Sequence, residues 1–342
     1  MRKIERELES VGIRPLGEIT TTEKQQIVQK VVSLLATLNN IELNYEQIYE
    51  KLLCAKMYRA QMANNIGKVN YFYKEKTIYF EENMNLEEID ENIIHECIHC
   101  IQDQRGEYEE LQRMGLCTFE EYKVRGMALN EVGINYLASK MLKRNDKTKI
   151  FTLLKQMLII TGEKTFIDSL LNNNDKFEEK FMDQTNTELL YYKIQQGMDS
   201  MFDLEQEINK LINIGKENIN PEIYLNKINT NKHTINQIFL ELQWEIYTKY
   251  FSRKIQLIDQ LEEIEEYKSE LFYFNSWLEI GEEVKYTEFA TEQLKNLNQV
   301  KLKIEKRKAN TSMVPFGQGP LYKLMRLIRK IFFRPNEYET NK

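Results

Sequence analysis

The chain has 342 residues, 42% of them hydrophobic and 29% charged, with 13 Gly and 5 Pro. That is enough apolar material for one large domain or two to three smaller ones, and it excludes collagen-like, mucin-like and linker-dominated architectures and a turn-rich all-β fold. The net charge of −6 is unevenly spread: residues 300–334 hold ten Lys or Arg against one acid, so an acidic body carries a basic arm.

Residues 20–40 and 44–63 read as two amphipathic helices, the second with Ile48, Leu52, Ala55 and Met62 at helical spacing. Gly67 breaks that pattern. Val69–Tyr73 and Thr77–Phe80 are rich in β-formers and predict a hairpin. Asn85, with Glu88 three residues on, has the form of a capping box and predicts a helix over about 86–104, stopped near Gly106. Residues 107–124 read as a polar connection with a short helix at 118–123. A further helix begins near Gly126 and runs to about 143. From 147 onward nearly everything reads as helix, broken at 172–175 and 217–221, and Thr311–Pro320 reads as a linker. The fold class expected is α+β, predominantly α-helical. Its parts are an N-terminal helical segment (1–65), a core (66–145), a helical domain (146–310) and a linker with a basic amphipathic helix (311–342).

The four cysteines are too few for a disulfide scaffold and predict a reducing, cytoplasmic compartment. The charged start, Met1 to Glu7, has no apolar run behind it, so no secretory signal is expected. No stretch of 18 apolar residues occurs, so no transmembrane helix is expected either. The acidic body would repel phosphate, which argues against a nucleic-acid partner.

The chain has three histidines, and two of them form His95-Glu96-Cys97-Ile98-His99, the pattern H-E-x-x-H. Residues four apart stack on one helix face, so both imidazoles can reach one tetrahedral metal ion. Glu96 points beside that ion, where it can take a proton from a metal-bound water. Ile93, Ile94, Cys97, Ile98, Cys100 and Ile101 share the opposite face, so one side of the helix packs on a core and the other presents the imidazoles to a cleft.

A catalytic zinc site needs a third protein ligand. His233 lies in a polar, Asn-rich stretch. Asp103, Glu107, Glu109, Glu110, Glu120 and Glu121 are other acids downstream. Glu131 differs in setting: it is the one charge between Ala128 and Ser139, in a mostly apolar helix, where a carboxylate needs a partner. A surface-facing Glu on an amphipathic helix is the alternative.

H-E-x-x-H on one helix, followed by Asn130-Glu131 near the start of a second, resembles the gluzincin class of zinc metallopeptidases, the thermolysin-like enzymes. The likeness covers about residues 66–142. It implies a zincin-like core, made of an edge strand, the H-E-x-x-H helix and a glutamate helix, with the large helical part as the far wall of the cleft. It implies zinc held by His95, His99 and Glu131, and Glu96 as general base and acid. The thermolysin pattern has an Asp four residues after the glutamate ligand, buttressing a zinc histidine; here that position is Asn135, which can accept a hydrogen bond without a charge. For the transition-state oxyanion the class uses a Tyr or His after the third ligand, and His233, Tyr136, Tyr191 and Tyr192 are candidates.

Cys97 and Cys100 form C-x-x-C, which admits a redox or metal reading, but both lie on the apolar face, where free Cys acts as a small hydrophobe. Leu321–Arg334 is sharply amphipathic and basic. It could dock on the acidic body, lie peripherally on an anionic membrane or bind a partner. The function expected is a zinc-dependent metallopeptidase acting on a peptide or protein substrate. The alternative is a catalytically silent zincin-like scaffold that binds a partner or membrane through its helices and basic tail.

Overall fold

The computed structural model describes residues 3–38, 42–63, 67–120, 123–144, 148–215, 222–276, 278 and 283–312. Among these the chain is predominantly helical, with two small sheets. Residues up to 250 form one compact unit, and residues 251–276 with 283–312 form a second. The basic amphipathic segment Leu321–Arg334 and nearly all of the expected linker lie outside the described residues.

The first unit opens with α1 (Lys3–Ser10), β1 (Ile13–Glu18) and α2 (Thr21–Ala36). Thr20 caps α2 through a full capping box with Glu23, so the first predicted helix starts where its sequence signals it. The second does not hold over 44–63. Asn44 caps a helix α3 that covers Tyr45–Cys54, and Ala55 then turns extended. Residues Lys56–Met62 form a strand, β2, pairing antiparallel with β1. Ladder bonds on both sides and full burial of Met57 and Ala60 outweigh the helical spacing that Met62 suggested.

The hairpin is formed by β3 (Val69–Phe72) and β4 (Thr77–Glu81), antiparallel across a one-turn 3-10 segment. The sheet order is β1-β2-β4-β3, with β2 and β4 parallel, so β3 is an edge strand. Next comes α4 (Glu91–Gln102), which packs against β3. It starts later than the Asn85 signal predicts. Asp90, in extended conformation, accepts the Ile93 N–H at 2.9 Å and is the cap, while Asn85 closes a local turn onto Glu87 N.

Residues 107–124 are not a plain connection. A second sheet, β5 (Asp103–Arg105), β6 (Leu111–Met114), β7 (Cys117–Glu120) and β8 (Lys123–Arg125), forms an antiparallel meander there. Each strand has three or four residues, too few for period-two alternation to register. The β6–β7 turn needs Gly115, at φ +59°; a Cβ there would meet Asn130 Oδ1 and Gln102 Nε2 at 2.3 Å.

Helix α5 (Met127–Met141) follows. Next are α6 (Lys149–Thr161), α7 (Glu163–Asn172), α8 (Lys176–Thr185), α9 (Glu188–Gly215) and α10 (Glu222–Leu257). The second unit contains α11 (Glu262–Asn275) and α12 (Glu283–Ser312), around a core of Phe251, Tyr267 and Phe274. No helix among the described residues is long and apolar enough to cross a membrane.

Candidate metal centre

Helix α4 is buried through Ile93, Ile94, Cys97, Ile98, Cys100 and Ile101, which fixes its rotation. That rotation turns His95 and Glu96 outward and leaves His99 at the edge of the core, 9% exposed. Helix α5 packs against α4. At the interface Gln102 and Asn130 exchange side-chain hydrogen bonds, both 3.2 Å, and Asn130 Oδ1 also accepts the Leu116 N–H at 3.1 Å. This buried amide pair stands one residue before Glu131 and sets the height of α5 against the two histidines.

The start of α5 has no side-chain cap of its own. Asp199 on α9 supplies one: its carboxylate accepts Gly126 N at 3.1 Å and Ala128 N at 2.8 Å. Two of the orphan donors of the glutamate-bearing helix are therefore satisfied by a residue about seventy positions away.

The result is a triangle of donor atoms. His95 Nε2 and His99 Nε2 lie 3.0 Å apart. Glu131 Oε2 is 3.2 Å from the first and Oε1 is 3.3 Å from the second. A tetrahedral ion with arms of ~2.05 Å has donor–donor edges of about 3.3 Å, and each of these approaches is close to that length, the two to Glu131 being made through different oxygens of its carboxylate. Among the described residues this is the one group of His, Cys, Asp or Glu that could hold a metal.

The electrostatics have the same sense. His95 Nδ1 meets Asn135 Oδ1 at 2.9 Å; an amide oxygen only accepts, so Nδ1 carries hydrogen and Nε2 is the atom left to bind a proton or a cation. Burial alone would lower the His95 pKa, but the Glu131 and Glu96 carboxylates and Asn135 push it up to about 9. Burial would raise Glu131, yet the two imidazoles hold it well below the usual carboxylate range. The carboxylate of Glu131 thus favours a positive charge on His95 Nε2, the atom turned toward it. His99 Nδ1 is buried without a hydrogen-bond partner, so His99 is oriented by packing while His95 is oriented by Asn135.

Glu96 lies beside this group, its Oε2 accepting the backbone N–H of Tyr71 on β3 at 2.7 Å. Around it opens a cleft of about 430 Å³, walled by Val69 and Asn70 of the edge strand, by Asn135 and by Arg144, whose guanidinium pairs with Glu91 at 3.2 Å.

His95, Glu96, His99 and Glu131 are therefore brought together, and Asn135 stands where the spacing put it. Among the described residues the other candidates are not, and Glu121 lies outside them. His233 is exposed on α10, and Asp103 is engaged by Tyr71 and Arg105. Tyr136 donates to Glu163, Tyr191 is buried against Phe177 and Phe181, and Tyr192 bonds Glu178. All four cysteines are free; burial raises the Cys97 thiol and pushes Cys100 up to about 12, so neither is a ready thiolate. Sequence reasoning missed the Tyr71 N–H, the Gln102–Asn130 pair, Arg144 and Asp199. Comparison with protein-family models, with curated proteins and with solved structures gave no match to this chain.

Proposed function

We propose that this chain is a zinc-dependent metallopeptidase of zincin type, acting in the cytoplasm on a peptide or protein substrate. The observation that carries the reading is the donor triangle of His95, His99 and Glu131 with Glu96 beside it. A zinc ion held by those three residues would supply Lewis acidity and an acidified bound water.

The chain's own residues do the rest. Asn135 fixes the tautomer of His95, and the Gln102–Asn130 pair holds Glu131 at the height of the histidines. Glu96 keeps Oε2 on the Tyr71 amide, which leaves Oε1 to take a proton from the attacking water and return it to the leaving amine. As the edge of its sheet, β3 can line an extended peptide along the cleft. Arg144 is the cation lining that cleft and is the candidate to bind carbonyl or carboxylate oxygen of the substrate.

Zinc stoichiometry and cleavage of a peptide library, measured on the wild type, Glu96→Gln and Glu131→Ala, test the reading. About one zinc per chain with cleavage that Glu96→Gln removes supports it. Zinc bound without cleavage supports the silent scaffold instead. Metal content unchanged by His95→Ala and His99→Ala defeats both.

A further inference from the structure

A second cavity, of about 550 Å³, opens between α3, the β3–β4 turn and β5. Five cations line it: Lys51, Lys56, Lys74, Lys76 and Arg105. Three acids, Glu75, Asp103 and Glu109, face them, in a chain whose net charge is −6. The remaining wall is apolar or weakly polar, with Ala55, Cys100 and the Tyr71 ring.

Two of the three acids are ion-paired within the cavity, and the third, Glu75, accepts a neutral hydroxyl. Asp103 accepts Arg105 Nε and Tyr71 OH, each at 2.6 Å. Glu109 pairs with Lys76 at 2.6 Å, and Glu75 accepts Tyr79 OH at 2.9 Å. Lys74 reaches out of the cavity to Glu7 at 2.9 Å.

Two cations are left over. The half-buried Lys51 ammonium donates to the backbone carbonyls of Ile101, at 2.8 Å, and Asp103, at 2.7 Å, and makes no ion pair with a carboxylate among the described residues. Burial lowers its pKa, the mark of an ammonium short of counter-charge. Two of its three N–H bonds are used, and the third is available to a ligand. Lys56, at the start of β2, has no ion pair among the described residues. Holding the Lys51 charge half-buried without a carboxylate is costly, and an anion seated on it would relieve that cost, with the exposed Lys56 adding a second ammonium at the cavity wall.

We propose that this cavity binds a small organic anion, a phosphate or carboxylate on an apolar body, with Lys51 and Lys56 holding the charge and Ala55, Cys100 and Tyr71 taking the body. The volume is in the range of small-molecule sites and exceeds what a bare inorganic ion fills. The proposal is independent of the zinc reading.

Cys54 allows a direct test, because it lines this cavity and is the exposed member of the four cysteines. The rate of Cys54 alkylation in the full-length protein is measured with inorganic phosphate, phenyl phosphate, benzoate and, as a neutral control, benzyl alcohol. Phenyl phosphate or benzoate should slow labelling roughly threefold at a concentration about twice its dissociation constant and raise Tm, while benzyl alcohol does neither. Whichever of the two acts at the lower concentration identifies the headgroup. Inorganic phosphate acting as well as phenyl phosphate would overturn the apolar half of the proposal. Lys56→Ala, at an exposed position that does not threaten folding, should weaken protection at least about fivefold, as the loss of one charge-assisted contact requires. Lys51→Met should do so more strongly; if it fails to fold, Lys56→Ala decides alone. No protection by any anion up to about 10 mM, or protection unchanged in Lys56→Ala, overturns the site.

Discussion

The backbone N–H of Tyr71 donates to Glu96 Oε2 at 2.7 Å, tying the edge strand to the carboxylate beside the donor triangle. The same residue turns its hydroxyl the other way, donating to Asp103 at 2.6 Å in the second cavity. Tyr71 thus fixes the position of Glu96 from the strand side, as Asn135 fixes His95 from the α5 side. A strand amide is a rigid donor, so Glu96 keeps one orientation and one oxygen remains for proton transfer.

The first prediction concerns that carboxylate. Glu96→Gln replaces the proton acceptor by an amide whose Oε1 can still accept from Tyr71 N–H. Zinc content and fold should be unchanged, while peptidase activity falls by roughly 10²–10⁴, the range for loss of a general base. Metal analysis, circular dichroism and a cleavage assay on one preparation decide it. A loss of zinc in this variant would mean that Glu96 is a ligand and not a base.

Asn135 acts through His95. Asn135→Ala leaves His95 Nδ1 without its acceptor, so the tautomer and ring orientation are no longer held. Zinc affinity should fall by roughly 10–100-fold, as for other residues that orient metal ligands. Asn135→Asp should retain or strengthen binding, because the carboxylate accepts the same hydrogen. A chelator competition titration on the three proteins reads the order directly, and equal affinities would remove Asn135 from the site.

Much of the donor set was readable from the sequence because its logic is local. A four-residue spacing on a helix with an apolar stripe dictates which way His95 and His99 face. Glu131 stood out because a carboxylate among apolar residues needs a partner. What was not readable depends on contacts across the chain. Lys56–Met62 became a central strand because β1 and β4 pair with it, and no local period announces that. The meander of 103–125 consists of strands too short to show alternation. The cap on α5 comes from Asp199, and spacing along α5 carries no trace of it.

That remote cap leads to the third prediction. Asp199→Ala removes both acceptors from the start of α5. The loss of a helix cap costs about 0.5–2 kcal/mol, so urea unfolding should show a lower midpoint with unchanged slope. Because Glu131 is one turn from that end, zinc affinity should drop as well, whereas Asp199→Asn keeps one acceptor and should lose less of both. Unchanged stability in Asp199→Ala would show that water replaces the cap without cost.

The last prediction concerns pH and follows from the proton that His95 holds. In apoprotein prepared with a chelator, His95 has its pKa pushed up to about 9, above its ordinary 6.5, by Glu131, Glu96 and Asn135 acting against burial. Below pH 9 zinc must therefore displace that proton from Nε2. Apparent zinc affinity should rise about tenfold per pH unit between roughly pH 7 and 9 and flatten above it. Glu131 adds no proton in that range, because the imidazoles hold its carboxyl well below the ordinary 4.5. The stability of the apoprotein runs the other way. A raised folded pKa means that the His95 contribution is fully present below 6.5 and is lost as pH climbs through about 9. The Glu131 contribution is present above 4.5 and is lost only as pH falls below that value. Apoprotein should therefore weaken from about pH 6.5 to 9 while its zinc affinity grows. Calorimetry in buffers of different ionisation enthalpy should report about one proton released per zinc at pH 7. Glu131→Gln removes the carboxylate that holds the proton in place, so its affinity, although weaker, should flatten at a lower pH. A zinc affinity independent of pH in the wild type would place the metal on atoms other than His95 Nε2.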